Sequence, residues 1–148
     1  MKRSYRKKAN QLSQVRAAYV AGIIDGEGHI SARLHRGSVY GVLEVGNVHR
    51  ELLDDLCAET GVGSVRTRKP RNQRARRLSI WRVSICSLNS LLLQVLPYLK
   101  IKNRQAELMI ILANYEFPSK LQDGFQTEAF NTFRQLNHRG SELAVTSN

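Results

Sequence analysis

The segment from Val20 to Gly28 constrains the fold more than any other part of this chain, because it describes a helix that ends abruptly. Four residues share the spacing of a single helical stripe just before that end: Ala18, Ala21, Gly22 and Asp25. Small side chains on such a stripe let a second helix backbone approach closely. A copy of the same helix is the expected partner in a soluble chain, so the stripe predicts a homodimer interface.

Two acids, Asp25 and Glu27, lie at the predicted end of this helix. A carboxylate there faces the negative end of the helix dipole, which costs about 0.3 to 1 kcal/mol. Gly26 and Gly28 can adopt positive φ, so we expect the chain to leave the helix sharply and to present the Glu27 carboxylate and the Gly26 carbonyl outward. Hard oxygen atoms of this kind are the ligands that Mg²⁺ prefers. The pattern predicts a metal site at Glu27 and Gly26.

The run Val20-Ala21-Gly22-Ile23-Ile24-Asp25-Gly26-Glu27-Gly28 resembles the signature of the LAGLIDADG homing endonucleases, with Glu27 where many members carry Asp. The similarity extends to Gly61-Val62-Gly63 and to the basic segment from Pro97 to Ala106, which looks like that of single-motif members. It covers residues from about 17 to about 116. The resemblance implies a saddle-shaped antiparallel sheet with helices on one face.

The periodicity of apolar residues predicts an α+β protein with the element order αββαββα followed by C-terminal helices. The expected elements are helices at Leu12 to Asp25, His49 to Glu59, Leu88 to Leu96, Asn103 to Tyr115 and Gln126 to Asn137, and strands at Gly28 to Leu34, Val39 to Val45, Ser64 to Lys69 and Leu78 to Cys86. We expect a basic arm at residues 1–11, an endonuclease core at 12–116 and a C-terminal helical segment and tail at 117–148. Phe130 and Phe133 in that last segment are expected to pack on the core.

The charge of the chain indicates a polyanionic partner. The 148 residues contain 23 Lys and Arg against 12 Asp and Glu, a formal charge of +11. Nucleic acid is the first candidate, and an anionic membrane is the second. No apolar run approaches the roughly 20 residues of a membrane span, and the basic N-terminus lacks the apolar stretch of a secretory signal. We expect a soluble intracellular protein without membrane contact, in a bacterial cytoplasm or an organelle.

The two cysteines do not form a metal-binding pattern. Cys57 and Cys86 each lie in an apolar stretch without the paired spacing of a zinc site. We therefore expect two buried free thiols.

The predicted hairpins carry cationic residues at alternating positions, as expected of a two-stranded ribbon in the major groove of double-stranded DNA. Arg33, Arg66 and Arg68 are the strongest candidates for contacts with base edges, since arginine to guanine is the commonest specific contact. The weaker candidates are His35, Tyr40, Glu44 and Ser79. A solvated basic face is the alternative for each residue taken singly. The strand phase around Trp81 and Arg82 is ambiguous, because apolar residues occupy both parities.

The resemblance also implies which residues carry catalysis. Glu27 of each subunit would anchor Mg²⁺, or another divalent metal such as Mn²⁺. Lys102 would polarise the water or the scissile phosphate. Lys100 is the neighbouring residue that could be mistaken for Lys102 in this role. Asn47 corresponds to a polar residue that orders water near the metal. Asp25 is expected to pack or hydrogen-bond across the helix seam instead of binding metal.

These expectations predict a homing endonuclease that makes a double-strand break in a long, partly palindromic DNA target as a homodimer. Intron or intein mobility is the biology that the resemblance implies, with a free-standing or intron-encoded enzyme as the simpler picture. Two alternatives stay open: an RNA-binding intron maturase, and a catalytically inactive DNA-binding regulator on the same fold. Only Tyr40 and Trp81 offer aromatic surfaces near the sheet for unstacked RNA bases, which weakly disfavours the first alternative.

Overall fold

The structure is a computed structural model that describes residues 7–35, 38–114 and 124–138, without the side chains of His35, Ser38 and residues 124–127. Its helices are α1 (Gln14–Glu27), α2 (Arg50–Thr60), α3 (Ile85–Val95), α4 (Asn103–Asn114) and α5 (Gly124–Asn137), and its strands are β1 (Gly28–His35), β2 (Ser38–Asn47), β3 (Ser64–Thr67) and β4 (Ser79–Ser84). A 3₁₀ turn, Leu96–Tyr98, follows α3. The α+β class and the αββαββα order with C-terminal helices are confirmed.

The four strands form one antiparallel sheet in the order β1-β2-β4-β3. The register pairs Gly28 with Val45, and Glu44 with Arg82. Directly opposed residues point to the same face of a sheet, so the register assigns every strand position to one of two faces.

Trp81 and Val83 are fully buried, whereas Arg82 is exposed. This result settles the strand phase that the sequence left ambiguous. The Trp81 indole donates a hydrogen bond to the Val62 carbonyl at 3.0 Å, which satisfies its buried N–H. The face with Trp81 packs on the helices, and the other face, which carries Arg82, is called the outer face below.

The connection from α1 to β1 differs from the prediction. The helix continues through Gly26 and Glu27, and the strand begins at Gly28 with φ −88° and no intervening loop. A Cβ atom at Gly28 would lie 2.6 Å from the Ile24 carbonyl oxygen, so glycine is required by a close approach and not by positive φ. Among the described glycines, positive φ occurs at Gly61, the C-cap of α2, and at Gly63.

Residues 9–12, assigned in part to a basic arm, are held against the body of the protein. The Ala9 amide donates to Ser90 Oγ at 2.8 Å, and the Leu12 amide donates to Gln94 Oε1 at 2.8 Å. The Asn10 amide donates to the Thr60 carbonyl, also at 2.8 Å. These bonds fix the chain to α3 and to the end of α2 just before α1 begins.

The helix α5 packs on the same core as the rest of the chain, as expected. Ala129 and Phe133 are almost fully buried. The Asn137 side-chain amide donates to the Ile30 carbonyl of β1 at 2.8 Å. The helix therefore covers one edge of the sheet.

The prediction of two buried thiols is wrong for Cys86, which is exposed, and Cys57 is only partly buried. Cys86 lies in the first turn of α3, where the chain turns away from the sheet. Within the ranges that the structure describes, no helix is long and apolar enough to cross a membrane.

Candidate nucleic-acid interface and active site

The outer face of the sheet is rich in arginine. Three strands each place an exposed arginine on it: Arg33 on β1, Arg66 on β3 and Arg82 on β4. Arg68 is exposed just after β3, where its backbone amide donates to the Leu78 carbonyl at 2.8 Å. Tyr40 lies directly opposite Arg33 and is 41% exposed. The structure thus places the three predicted arginines on one surface and adds Arg82, which alternation from a buried Trp81 would have identified.

Glu44 lies at the centre of this surface and contacts two of its arginines. Its Oε2 atom is 2.6 Å from Arg33 Nη2, and its Oε1 atom is 3.9 Å from Arg82 Nε. The Glu44 side chain is only 16% exposed, while both arginines are about half exposed. The carboxylate therefore orients Arg33 through a hydrogen bond and lies within ion-pair distance of Arg82.

Ser79 does not belong to this surface, contrary to the prediction. It is 2% exposed, and its hydroxyl lies 2.8 Å from the Thr67 hydroxyl. Ser79 shares the parity of Trp81 and Val83, so it faces the helices. Base contacts by Ser79 are excluded by this burial. The side chain of His35, also a candidate, lies outside the described residues.

A shallow pocket of about 260 Å³ opens between Arg33 and Arg82. Val42 and Ile85 contribute apolar surface to its lining. Apolar surface beside arginines is the combination that contacts a thymine methyl group and a guanine edge in the major groove.

The loop between β3 and β4 extends the basic surface beyond the sheet. Beyond Arg68, four more arginines on it are exposed: Arg71, Arg74, Arg76 and Arg77. Asn72 shapes the loop, because its side-chain oxygen accepts from the Arg74 amide at 3.1 Å. Exposed cations on a loop of this kind suit phosphate contacts, which position a protein on a duplex.

The C-terminal end of α1 presents oxygen atoms at a surface. Glu27 and Gly26 are both exposed there. Carbonyl groups of the last helical turn lack partners within the helix, and the negative end of the helix dipole favours a cation. A carboxylate and a carbonyl fit a divalent cation such as Mg²⁺, which completes its octahedral shell with water or phosphate oxygens. No group of three or more His, Cys, Asp or Glu side chains that could hold a metal occurs among the described residues.

Lys102 lies beside this helix end. Its ammonium donates a hydrogen bond to the main-chain carbonyl of Asp25. Burial lowers the pKa of Lys102, and the charges of Asp25 and Glu27 act in the opposite direction. The structure thus brings two predicted catalytic residues, Glu27 and Lys102, within electrostatic reach of each other. The neighbouring Lys100 is exposed.

Asp25 makes hydrogen bonds within its own chain. Its carboxylate accepts hydrogen bonds from the amides of Lys100, Ile101 and Lys102 at 2.8, 3.1 and 3.0 Å. Burial acts to raise the pKa of Asp25, but these amide bonds and the Lys102 charge outweigh it, so the pKa falls below its ordinary value. Both carboxylate oxygens thus accept hydrogen bonds from the segment before α4, and the expected bond across the seam stays a prediction.

Asn47 ends β2, two residues beyond the partner of Gly28, and so lies at the same end of the sheet as the end of α1. Its side-chain oxygen accepts from the His49 amide at 2.8 Å, which forms the turn into α2. The side-chain amide nitrogen of Asn47 is the group that this turn leaves for other contacts. Arg50 points toward β3, where it donates to Thr67 Oγ1 at 2.8 Å.

The exposed stripe of α1 lies three residues closer to the N-terminus than the predicted one. Ala21 is fully buried in the chain's own core with Val20 and Ile24, so it cannot contribute to a helix seam. Ala18 and Gly22 are exposed. Val15 and Tyr19, 78% and 44% exposed, share their face by helical spacing. A Cβ atom at Gly22 would meet no atom within 4 Å.

Comparison with solved structures supports this fold. The homing endonuclease I-CvuI, in complex with an I-CreI target in the presence of Mg and with the DNA not cleaved, is 25% identical with a TM-score of 0.59 over 83% of this chain and 78% of its own. An archaeal intron-encoded homing endonuclease, I-Vdi141I, complexed with DNA, is 14% identical with a TM-score of 0.53 over 82% of this chain and 96% of its own. The meganuclease I-AabMI, bound to uncleaved DNA, is 19% identical with a TM-score of 0.55, and the chain spans 48% of it.

No curated protein matches the sequence. The family model described as a LAGLIDADG-like domain matches residues 14–93, which is more than half of the chain and includes α1, the whole sheet and most of α3. The signature at the end of α1, the αββαββα fold and the solved relatives all agree with this match. The chain belongs to the LAGLIDADG homing endonuclease family.

Proposed function

We propose that this protein is a site-specific DNA endonuclease that acts as a homodimer and uses a divalent cation to make a double-strand break. The observation that carries the proposal is the arrangement at the end of α1, where Glu27 is exposed and the Lys102 ammonium is fixed beside it. The arginine-rich outer face starts at the same helix end, since β1 follows Glu27 directly.

The outer face supports double-stranded DNA as the substrate. A two-stranded ribbon with arginines fits the major groove, which is about 12 Å wide. Trp81 is fully buried and offers no stacking surface to RNA bases, so of the two aromatic candidates only Tyr40 stays at the surface. This burial weighs further against the maturase alternative.

Hydrolysis joins a water oxygen to phosphorus and breaks the bond from phosphorus to the leaving oxygen. A bound divalent cation would lower the pKa of that water and neutralise charge on the phosphate. Glu27 and the Gly26 carbonyl would hold this cation. The Lys102 ammonium would stabilise the negative charge that develops on the phosphate oxygens.

The exposed stripe Val15, Ala18, Tyr19 and Gly22 supports the proposed homodimer. If α1 packs along this stripe against its copy, the two Glu27 residues lie near the dimer axis, with one site for each DNA strand. The two symmetry-related sheets would then read a long, partly palindromic target. Complexes of I-CvuI prepared with Mg or with Ca support the use of a divalent cation by this chain.

The test uses purified wild type and Glu27→Gln, each incubated with a randomised DNA library in Mg²⁺ and in Ca²⁺. Cut ends and bound fragments are sequenced separately. We expect double-strand cuts by wild type in Mg²⁺ at one recurrent near-palindromic sequence, and binding without cuts by Glu27→Gln. Glu107→Gln, an exposed acid on α4, is the matched control and should cut like wild type.

The other outcomes identify the alternatives. If wild type and Glu27→Gln bind one DNA sequence and neither cuts it, the protein is a DNA-binding regulator. If neither selects DNA, folded intron RNA is the next ligand to test. Binding that does not weaken with added salt contradicts the proposed phosphate contacts, since about 6 to 10 of them would lower affinity about 10³- to 10⁵-fold between about 50 and 200 mM salt.

A further inference from the structure

The short segment 100–102, between the 3₁₀ turn and α4, is bound to one carboxylate. The amide of Lys100 donates to Asp25 Oδ2 at 2.8 Å, and the amides of Ile101 and Lys102 donate to Oδ1 at 3.1 and 3.0 Å. Three consecutive N–H groups thus converge on the side chain of a residue 75 to 77 positions earlier in the chain. Hydrogen bonds to a charged acceptor are stronger than those between neutral groups.

Lys102 is bound to Asp25 at both of its ends. Its backbone amide donates to the Asp25 carboxylate, and its ammonium donates to the Asp25 main-chain carbonyl. A lysine side chain has several rotatable bonds and loses considerable conformational entropy when it is fixed. Because both bonds end on one residue, the position of the ammonium depends on where Asp25 holds the backbone of Lys102.

We propose that Asp25 is a positioning residue for cleavage, whose carboxylate fixes the segment 100–102 so that the Lys102 ammonium stays beside Glu27. This inference rests on the proposed nuclease function and adds to it a role for Asp25, the first of the two acids at the C-terminal end of α1. Asp25 acts through Lys102 and does not contact the reacting phosphate.

These hydrogen bonds explain the orientation of the Asp25 carboxylate without a bound metal. Oδ1 accepts two amide bonds and Oδ2 accepts one, so both oxygens are directed toward the segment before α4. Ile101 is 70% exposed and anchors nothing in the core. The segment therefore relies on these bonds, and not on apolar burial of Ile101, to keep its place.

Single-turnover cleavage of the selected DNA site is the first measurement. Asp25→Asn keeps the shape of the side chain but replaces one acceptor oxygen with an N–H donor that faces an amide. We expect the cleavage rate constant to fall about 100-fold, since a displacement of about 1 Å at a catalytic group can have an effect of that size. Binding of the same site in Ca²⁺ should be unchanged. Asp55→Asn, an exposed acid on α2 with the same change in charge, should cut at the wild-type rate.

A double-mutant cycle with Lys102→Met separates positioning from general damage. If Asp25 acts through Lys102, the double variant cuts no more slowly than Lys102→Met alone. Rate losses that multiply in the double variant overturn the inference, and so does cleavage by Asp25→Asn at the full rate. A wild type that binds its site and never cuts overturns the proposed function itself, which is a different and recognisable result.

Amide hydrogen exchange in the free protein gives a readout that does not depend on cleavage. The amides of Lys100, Ile101 and Lys102 should be protected in wild type and lose that protection in Asp25→Asn. Asp25→Glu retains the charge and both acceptor oxygens, and it replaces Asp25→Asn as the test variant if that protein does not fold. We expect it to keep partial protection and to cut at an intermediate rate. Unprotected wild-type amides, or a full cleavage rate in Asp25→Glu together with lost protection, would refute the positioning role.

Discussion

Glu44 accepts a hydrogen bond from Arg33 at 2.6 Å on the outer face of the sheet, where both residues would meet DNA. A carboxylate on a DNA-binding surface repels phosphate, yet here it also restricts the arginine that lies next to it. Glu44 reaches toward Arg82 on β4 as well, at 3.9 Å. One acid thus connects cationic side chains on both strands that flank β2.

We predict that Glu44→Gln binds nonselected DNA more tightly and discriminates less between sequences. Arg33 and Arg82 lose the negative charge that attracts them to Glu44, so both become available to phosphates. The plot of log affinity against log salt should steepen by about 1 for each new phosphate contact. Competition binding of the selected site against random DNA measures the change. Glu107→Gln has the same change in charge and should leave the specificity ratio intact.

We predict that Ser79→Ala lowers stability without changing the DNA sequence that is bound. The substitution removes a partly buried hydrogen bond to the Thr67 hydroxyl, which should lower the free energy of unfolding by about 1 kcal/mol. Urea denaturation and binding selection report the two properties separately. The exposed Ser84→Ala on the same strand is the control and should change stability by less than about 0.5 kcal/mol. An altered target sequence for Ser79→Ala would contradict the assignment of Ser79 to the core face.

Gly22→Ala and Gly28→Ala should have opposite effects on the stability of the protomer. At Gly28 the new Cβ lies 2.6 Å from a main-chain oxygen, so we expect a loss of at least about 1 to 3 kcal/mol in unfolding free energy. At Gly22 the space is open, and alanine is the better helix former by about 1 kcal/mol. Thermal unfolding at low protein concentration tests both.

Gly22→Ala also tests the proposed dimer. If α1 packs against its copy at Gly22, the added methyl group separates the two backbones, and sedimentation should detect a weaker dimer. Asn114→Ala, on the exposed surface of α4, should leave the dimer unchanged. A Gly22→Ala protein that dimerises as tightly as wild type would move the seam away from this stripe.

The ion pair between Arg16 and Glu59 should make stability depend on pH in the acid range. The hydrogen bond from Arg16, at 2.6 Å, lowers the pKa of the Glu59 carboxyl against a small opposing effect of burial. A carboxyl with a lowered pKa in the folded state contributes stability above its unfolded pKa of about 4.3, and loses it as the pH falls through the folded value. We expect Glu59→Gln to be less stable than wild type at neutral pH.

The difference between Glu59→Gln and wild type should shrink as the pH falls below about 4, because the wild-type carboxyl then becomes protonated. Urea denaturation across that range measures it. Glu107→Gln, which removes an exposed acid outside this ion pair, is measured alongside. A constant difference for Glu59→Gln would mean that the ion pair does not control this titration.

The order and the types of the elements could be predicted because their signals are local. Apolar spacing defines α2, and Gly61 adopts the positive φ expected of its C-cap. Alternation in β1 and β2 placed Arg33 and Glu44 correctly on the outer face. In β4, apolar residues occupy both parities, so the sequence did not reveal that Ser79 faces the core.

The contacts that organise the site depend on tertiary packing and have no local signal. Lys102 meets Asp25 across 77 positions, and no spacing rule identifies such a pair. The role of Gly28 depends on how closely β1 crosses the end of α1, a distance that the order of residues does not specify. Ala21 and Gly22 are both small, so only the position of the core determines which of them is buried.

The two edges of the sheet are protected in different ways. On β1, the Ile30 carbonyl is taken by Asn137 of α5, so a foreign strand cannot pair freely along that edge. At the other edge, β3 is only four residues long and carries Arg66. Short or charged edge strands resist pairing with strands of other molecules. Truncation of the chain before α5 should therefore promote aggregation in concentrated solution, since it would leave the edge of β1 free to pair with strands of other molecules.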